Sequence, residues 1–179
     1  MKHELVLVTG GARSGKSSYA ESLLADCASK FYIATAPKLD EEMICRVRLH
    51  QARRAAGNWT SIEEELDLAD AVRRAEMRGA DGILVDCLTL WINNILYREP
   101  DFQEKDMPDR FAPVLALAKA FPGRFVMVLN EVGMGVVPEN ALARTFRDVS
   151  GRCGQLAAQA ADTVVLMTCG IPLALKGNQ

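Results

Sequence analysis

Apolar residues run along the chain in two rhythms. Short, nearly unbroken runs such as Leu5-Val6-Leu7-Val8, Ile83-Leu84-Val85, Phe125-Val126-Met127-Val128-Leu129 and Val164-Val165-Leu166-Met167 read as buried strands. They predict strands over 4–9, 31–35, 59–62, 82–86, 124–130, 163–168 and 173–176. Between them, apolar positions recur at three- and four-residue spacing, which predicts helices over 17–25, 40–56, 63–77, 88–97, 114–121 and 139–161. Gly151 and Gly154 weaken the middle of the last helix. Pro100 to Pro113 is polar and punctuated by proline, and is expected to be a mobile loop.

Strands alternate with helices, and the strands are apolar throughout. This pattern predicts an α/β fold with a mostly parallel sheet and helices on both faces. No boundary or repeat divides residues 1–179, so a single domain is expected. Ligands on such sheets bind beyond the carboxyl ends of the strands, where Thr9, Thr35, Asp86 and Asn130 fall.

The first strand runs into Gly10-Gly11-Ala12-Arg13-Ser14-Gly15-Lys16-Ser17, which fits G-x-x-x-x-G-K-[ST] between a strand and a helix. This is the phosphate-binding loop of P-loop nucleotidases. Glycines there let backbone N–H groups point at phosphate oxygens, and the new helix adds its own free N–H groups. Lys16 would reach the outer phosphates and Ser17 would hold Mg²⁺. Asp86, closing an apolar strand, is placed to bind the same Mg²⁺ or to cap the helix that follows. Glu131 could polarise a nucleophile, or fix its loop by accepting backbone N–H groups.

Composition narrows the class. A hydrophobic share of 49% and a charged share of 25% are those of a globular domain. The net charge of −2 favours neither nucleic acid nor an anionic membrane, and no apolar run is long enough to span a bilayer. Cys27, Cys45, Cys87, Cys153 and Cys169 include no C-x-x-C pair, and only two histidines are present, so neither a zinc site nor a disulfide scaffold is expected. With no signal-peptide pattern at the start, the expected compartment is the cytoplasm.

The helix over 40–56 carries one more candidate. Cys45, Leu49, Ala52 and Ala56 form an apolar stripe, with Arg46, His50, Arg53 and Arg54 on its flank. Neighbouring guanidinium groups disfavour a protonated imidazole, and a neutral imidazole is a nucleophile. The arginines could gather a polyphosphate. Spacing alone favours a plainer reading, a solvated basic helix face.

Several stretches together resemble the bifunctional adenosylcobinamide kinase/adenosylcobinamide-phosphate guanylyltransferase family of cobalamin biosynthesis. They are residues 7–17, 32–36, 46–54, 59–68 and 86–94, then Asn130-Glu131-Val132-Gly133-Met134-Gly135-Val136-Val137-Pro138-Glu139-Asn140, Phe146-Arg147-Asp148 and Gly170-Ile171-Pro172. The resemblance implies a RecA-like P-loop NTPase fold and two reactions. A nucleoside triphosphate, ATP or GTP, phosphorylates the aminopropanol hydroxyl of the corrinoid; GTP then guanylylates a histidine, which passes GMP to the corrinoid phosphate. The family's histidine falls on His50, which reverses the reading from spacing. Its nucleotide contacts fall on Gly10, Gly11, Ala12, Arg13, Ser14, Gly15, Lys16, Ser17 and Ser18, on Thr35, Ala36, Pro37 and Lys38, on Arg53 and Arg54, on Glu63 and on Asp86. The resemblance also implies a homotrimer. The chain departs from the family at Ala55, where proline is common, at Glu65, and at Cys169, and it carries an extra residue near Gly57-Asn58. Without the resemblance, two other readings stay open: a plain small-molecule P-loop kinase, and a non-enzymatic NTP-binding subunit.

Overall fold

The computed structural model describes residues 3–37 and 57–177. The elements are β1 (Glu4–Gly10), α1 (Lys16–Ser22), β2 (Lys30–Ala34), β3 (Trp59–Glu63), α2 (Leu68–Met77), β4 (Gly82–Asp86), α3 (Leu88–Arg98), a 3₁₀ turn (Glu104–Asp106), α4 (Met107–Ala120), β5 (Arg124–Asn130), α5 (Ala141–Ala160), β6 (Thr163–Thr168) and β7 (Ile171–Lys176). The helix expected over 40–56, with Arg46, His50, Arg53 and Arg54, lies outside the described residues, as does Lys38.

One seven-stranded sheet carries the fold, in the order β3-β2-β4-β5-β1-β6-β7. The first six strands of that order pair parallel, and β7 returns antiparallel to β6. Successive side chains point to opposite faces. Leu5 and Leu7 therefore join one buried cluster with Ile33, Val85, Met127 and residues of α2, α3, α4 and α5. Val6 and Val8 join the other, with Leu84, Val126, Val128 and the α1 residue Ala20. Both faces are apolar because both are covered, which is why the strands read as solid runs.

Several boundaries differ from expectation. The helix expected from Glu63 starts at Leu68, because Glu63 continues β3 beside Ala34. The Glu64 carboxylate then turns the chain by accepting the N–H groups of Leu66 and Asp67, and Asp67 caps the helix at the Asp70 N–H. The last long helix spans 141–160, with Asn140 as its cap.

The largest correction concerns residues 100–113, expected as a mobile loop. From Met107 onward they belong to α4. Pro108 sits in the first turn, where a missing N–H costs nothing, and Gln103 and Asp106 form a capping box just before it. Pro113 lies inside the helix, which continues because Met107, Phe111, Val114 and Ala118 make a buried stripe. Phe111 packs against Trp91, ring centres 5.4 Å apart. Prolines hid a helix whose stability comes from packing. Phe111→Ala is expected to destabilise the fold by about 3–5 kcal/mol, measured by urea unfolding; a loss below about 1 kcal/mol would return this segment to the surface.

Candidate active site

Parallel pairing brings the carboxyl ends of five strands onto one edge. Gly10 of β1 pairs with Asn130 of β5, Asp86 of β4 with Val128, and Ala34 of β2 with both Asp86 and Glu63. Adjacent strands lie roughly 4.8 Å apart. The P-loop is therefore roughly 10 Å along the sheet from Asp86 and roughly 19 Å from Glu63. The described residues expected to contact a nucleotide fall into two groups: the P-loop with Asp86, and a farther group at the ends of β2 and β3.

The P-loop takes the form its glycines permit. Gly10 has φ 142° and Gly15 φ 97°, both in the region that favours glycine. A side chain at Gly10 would drive into the Met167 carbonyl of β6, 2.3 Å away. The β6–β7 turn supports the loop from outside, with the Gly170 N–H donating to the Ser14 carbonyl at 3.0 Å. Arg13 takes a left-handed φ of 56°. Gly11, Ala12, Arg13, Gly15 and Ser18 are exposed, Ser17 is half-buried, and Ser14 is buried.

Lys16 is buried and folded back onto its own loop, its ammonium donating to the Gly11 carbonyl at 2.6 Å and to Ser14 Oγ at 3.5 Å. Burial lowers its pKa below the ordinary lysine value. The Cys87 and Asp86 side chains oppose that shift. Of these two, Asp86 is the one that counts at neutral pH, since burial pushes the Cys87 thiol up to about 11 and keeps it uncharged. A phosphate oxygen would replace the Gly11 carbonyl with a stronger, charge-assisted partner.

The two readings of Asp86 separate here. Cys87 is the N-cap of α3, with no side-chain cap bond, so Asp86 does not cap that helix. Its Oδ2 accepts the Tyr32 hydroxyl at 2.9 Å. Ser17 and Asp86 would offer two hard oxygen donors, a set compatible with Mg²⁺, an ion that takes few protein ligands and completes its shell with phosphate and water. Among the described residues no group of three or more His, Cys, Asp or Glu could hold a metal.

The other candidates occupy supporting places. Thr35 is fully buried, and its hydroxyl is committed to Cys87, donating to the carbonyl at 2.7 Å and accepting the N–H at 2.9 Å. It ties the ends of β2 and β4 together. Ala36 is half-buried, Pro37 buried, and Glu63 exposed at the end of β3. Glu131 accepts the Gly133 N–H at 2.6 Å, the loop-fixing alternative, while its own N–H donates to Gly10 O at 2.9 Å.

Three polar residues escaped the site assignment. Besides Tyr32, the buried Asn94 amide donates to the carbonyls of Thr35, at 2.8 Å, and Glu65, at 3.0 Å. Thr89 Oγ1 accepts the Asn130 N–H at 2.7 Å. The available signal was a polar residue on an apolar helix face: Asn94 falls beside Trp91 and Ile95, where an exposed asparagine has no place.

Comparison with known proteins adds the family. Residues 6–175 match the model of cobinamide kinase / cobinamide phosphate guanyltransferase. The chain belongs to that family. Relatives agree along nearly the whole length. A bifunctional adenosylcobalamin biosynthesis protein of Pseudomonas aeruginosa is 44% identical, over 96% of this chain and 97% of its own. Those of Salmonella typhimurium and Escherichia coli are 41% and 38% identical, each over 96% of this chain and 99% of its own. Cobinamide kinase and cobinamide phosphate guanyltransferase are thus the activities of the family to which this P-loop sheet belongs.

Tyr32→Phe keeps the packed ring and removes the hydroxyl that orients Asp86. Half-saturation of nucleotide binding by Mn²⁺, followed by electron paramagnetic resonance, is expected to need about tenfold more metal, with metal-free nucleotide affinity unchanged. Equal metal affinity in the two proteins would remove the orienting role.

Proposed function

We propose that the protein phosphorylates the aminopropanol hydroxyl of adenosylcobinamide with a nucleoside triphosphate and then transfers GMP from GTP to the resulting phosphate. The observation that carries this reading is a P-loop set beside Asp86 on one sheet edge, in a chain of this family. Loop amides and Lys16 take the triphosphate, with ATP and GTP both candidate donors. Ser17 and Asp86 hold Mg²⁺, which when bound neutralises charge on the phosphates. The acceptor hydroxyl oxygen bonds to the γ-phosphorus as the bond to the β-phosphate breaks, leaving the nucleoside diphosphate and releasing the hydroxyl proton to solvent.

In the second reaction an imidazole nitrogen of His50 attacks the α-phosphorus of GTP and pyrophosphate leaves. A phosphate oxygen of adenosylcobinamide phosphate then takes the guanylyl group, giving adenosylcobinamide-GDP and restoring His50. Lys38, Arg53 and Arg54 are assigned to the nucleotide by the same resemblance, as are Glu63 and the segment 35–37. The roughly 19 Å between the P-loop and β3 suits a nucleotide whose phosphates lie on the loop and whose base lies over β2 and β3.

We further place the enzyme in the cytoplasm as a homotrimer, with no nucleic-acid partner. Among the described residues Cys87, Cys153 and Cys169 are unbridged thiols, which fits a reducing compartment. No described helix is long and apolar enough to cross a membrane. Ile171 and Leu173 on the edge strand β7 are exposed, apolar surface available to a neighbouring copy.

Incubation with labelled GTP and Mg²⁺ is expected to leave an acid-labile, base-stable guanylyl group on the protein. His50→Ala should abolish it and largely spare phosphorylation of adenosylcobinamide, while Lys16→Ala should lose both. Labelling that survives His50→Ala would refute the histidine step. Phosphorylation with no covalent nucleotide in the wild type would leave a plain kinase, and nucleotide binding without corrinoid turnover a non-enzymatic subunit.

A further inference from the structure

A second concave site lies on the α5 face of the sheet, reaching the same carboxyl edge. It is a cavity of about 310 Å³ between α5 and strands β1, β5, β6 and β7. Leu7, Leu129, Val164 and Leu175 make its apolar wall, and Thr9, Asn130 and Glu131 line the end nearest the P-loop. The N–H bond from Glu131 to Gly10 joins that end directly to the phosphate-binding loop.

Two features of α5 mark the cavity as built for an occupant. Ser150 lines it, is 2% exposed, and has a hydroxyl with no hydrogen-bond partner among the described residues. A helical serine that is not in water ordinarily bonds back to a carbonyl of the preceding turn. Left unpaired, a buried hydroxyl is destabilising. Next to it, Gly151 and Gly154 keep the helix surface bare. A β-carbon built at Gly151 meets nothing within 4 Å, and one at Gly154 comes 3.0 Å from Leu129 Cδ2. Alanine would favour the helix at both positions; Gly154 is explained by its close approach to Leu129, whereas Gly151 lowers helix stability with no packing reason and leaves space.

We infer that this cavity seats the amide-bearing aminopropanol arm of the corrinoid acceptor. The inference rests on the proposed function and adds to it where the acceptor sits. The arm's aliphatic stem lies along Leu129, Val164 and Leu175. Its amide pairs with the Ser150 hydroxyl, and its terminal hydroxyl points past Glu131 toward the P-loop. A corrin macrocycle is too large to enter, and stays outside on Val132, which is exposed at the cavity. An arm with an aliphatic stem and polar ends suits an aliphatic wall with one orphan hydroxyl and a polar margin that includes Glu131, Arg147 and Gln155. The cavity contributes binding and orientation, with no bond made or broken in it.

The test uses the full chain, with dicyanocobinamide followed by its visible absorbance and N-(2-hydroxypropyl)propanamide as the isolated arm. The wild type is expected to bind the corrinoid, and the isolated arm to compete for it. Ser150→Ala should weaken corrinoid binding about fivefold, the effect of one lost hydrogen bond. Gly151→Leu, which fills the space, should weaken it more than tenfold, and nucleotide affinity should not change in either variant. Wild-type binding by Gly151→Leu, or no competition by the arm, overturns the inference. So does an altered mass in light scattering with corrinoid binding intact, which would give the cavity to a second copy of the chain. Tight corrinoid binding without phosphorylation would sink the proposed function and leave this inference standing. If Gly151→Leu fails to fold, Ser150→Ala and the competition decide.

Discussion

Parallel pairing is the constraint on which the site depends. Because β1, β5, β4 and β2 run the same way, the chain leaves each of them on one edge, and Gly10, Asn130, Asp86 and Thr35 arrive together from distant parts of the sequence. A parallel sheet also needs cover on both faces. The described helices that provide it return the chain to the far edge after β1, β3, β4 and β5, so catalytic positions and core are products of one topology.

That edge is held by buried polar bonds rather than by apolar packing. Thr35 clamps the Cys87 peptide from both sides, Asn94 ties the ends of β2 and β3 through the carbonyls of Thr35 and Glu65, and Thr89 fixes the start of the Asn130 loop. Strand ends have backbone groups without ladder partners, and in a buried setting each must find one. The side chains that satisfy them come from Thr35, just past β2, and from α3, neither of which belongs to the P-loop. Lys16, held by Gly11 and Ser14, shows the same economy: the loop's own carbonyl occupies the ammonium that a phosphate would take.

Much of this was legible in the residues. The strand runs, the P-loop and Asp86 follow from short-range pattern, since a buried strand needs a continuous apolar run and a phosphate cradle needs glycine at fixed spacing. The failures share a cause. Residues 100–113 read as a loop because Pro108 and Pro113 punctuate it, yet Phe111 against Trp91 holds it helical. Glu63 read as helical by spacing, but pairing with Ala34 kept it in a strand. In each case a partner distant in sequence outweighed local preference.

By itself the sequence determined the alternation of strands and helices, the phosphate-binding loop, and the family resemblance carried by Asn130 to Asn140 and Phe146-Arg147-Asp148. Those are properties of neighbouring residues, whose chemistry is complete within a few positions. Tertiary structure alone decided that Tyr32 reaches Asp86, that Asp86 leaves its helix uncapped, and that Ser150 faces a cavity beside the bare Gly151. Hydrogen bonds and cavities join residues through space, and one-dimensional periodicity carries no record of which strand lies beside which.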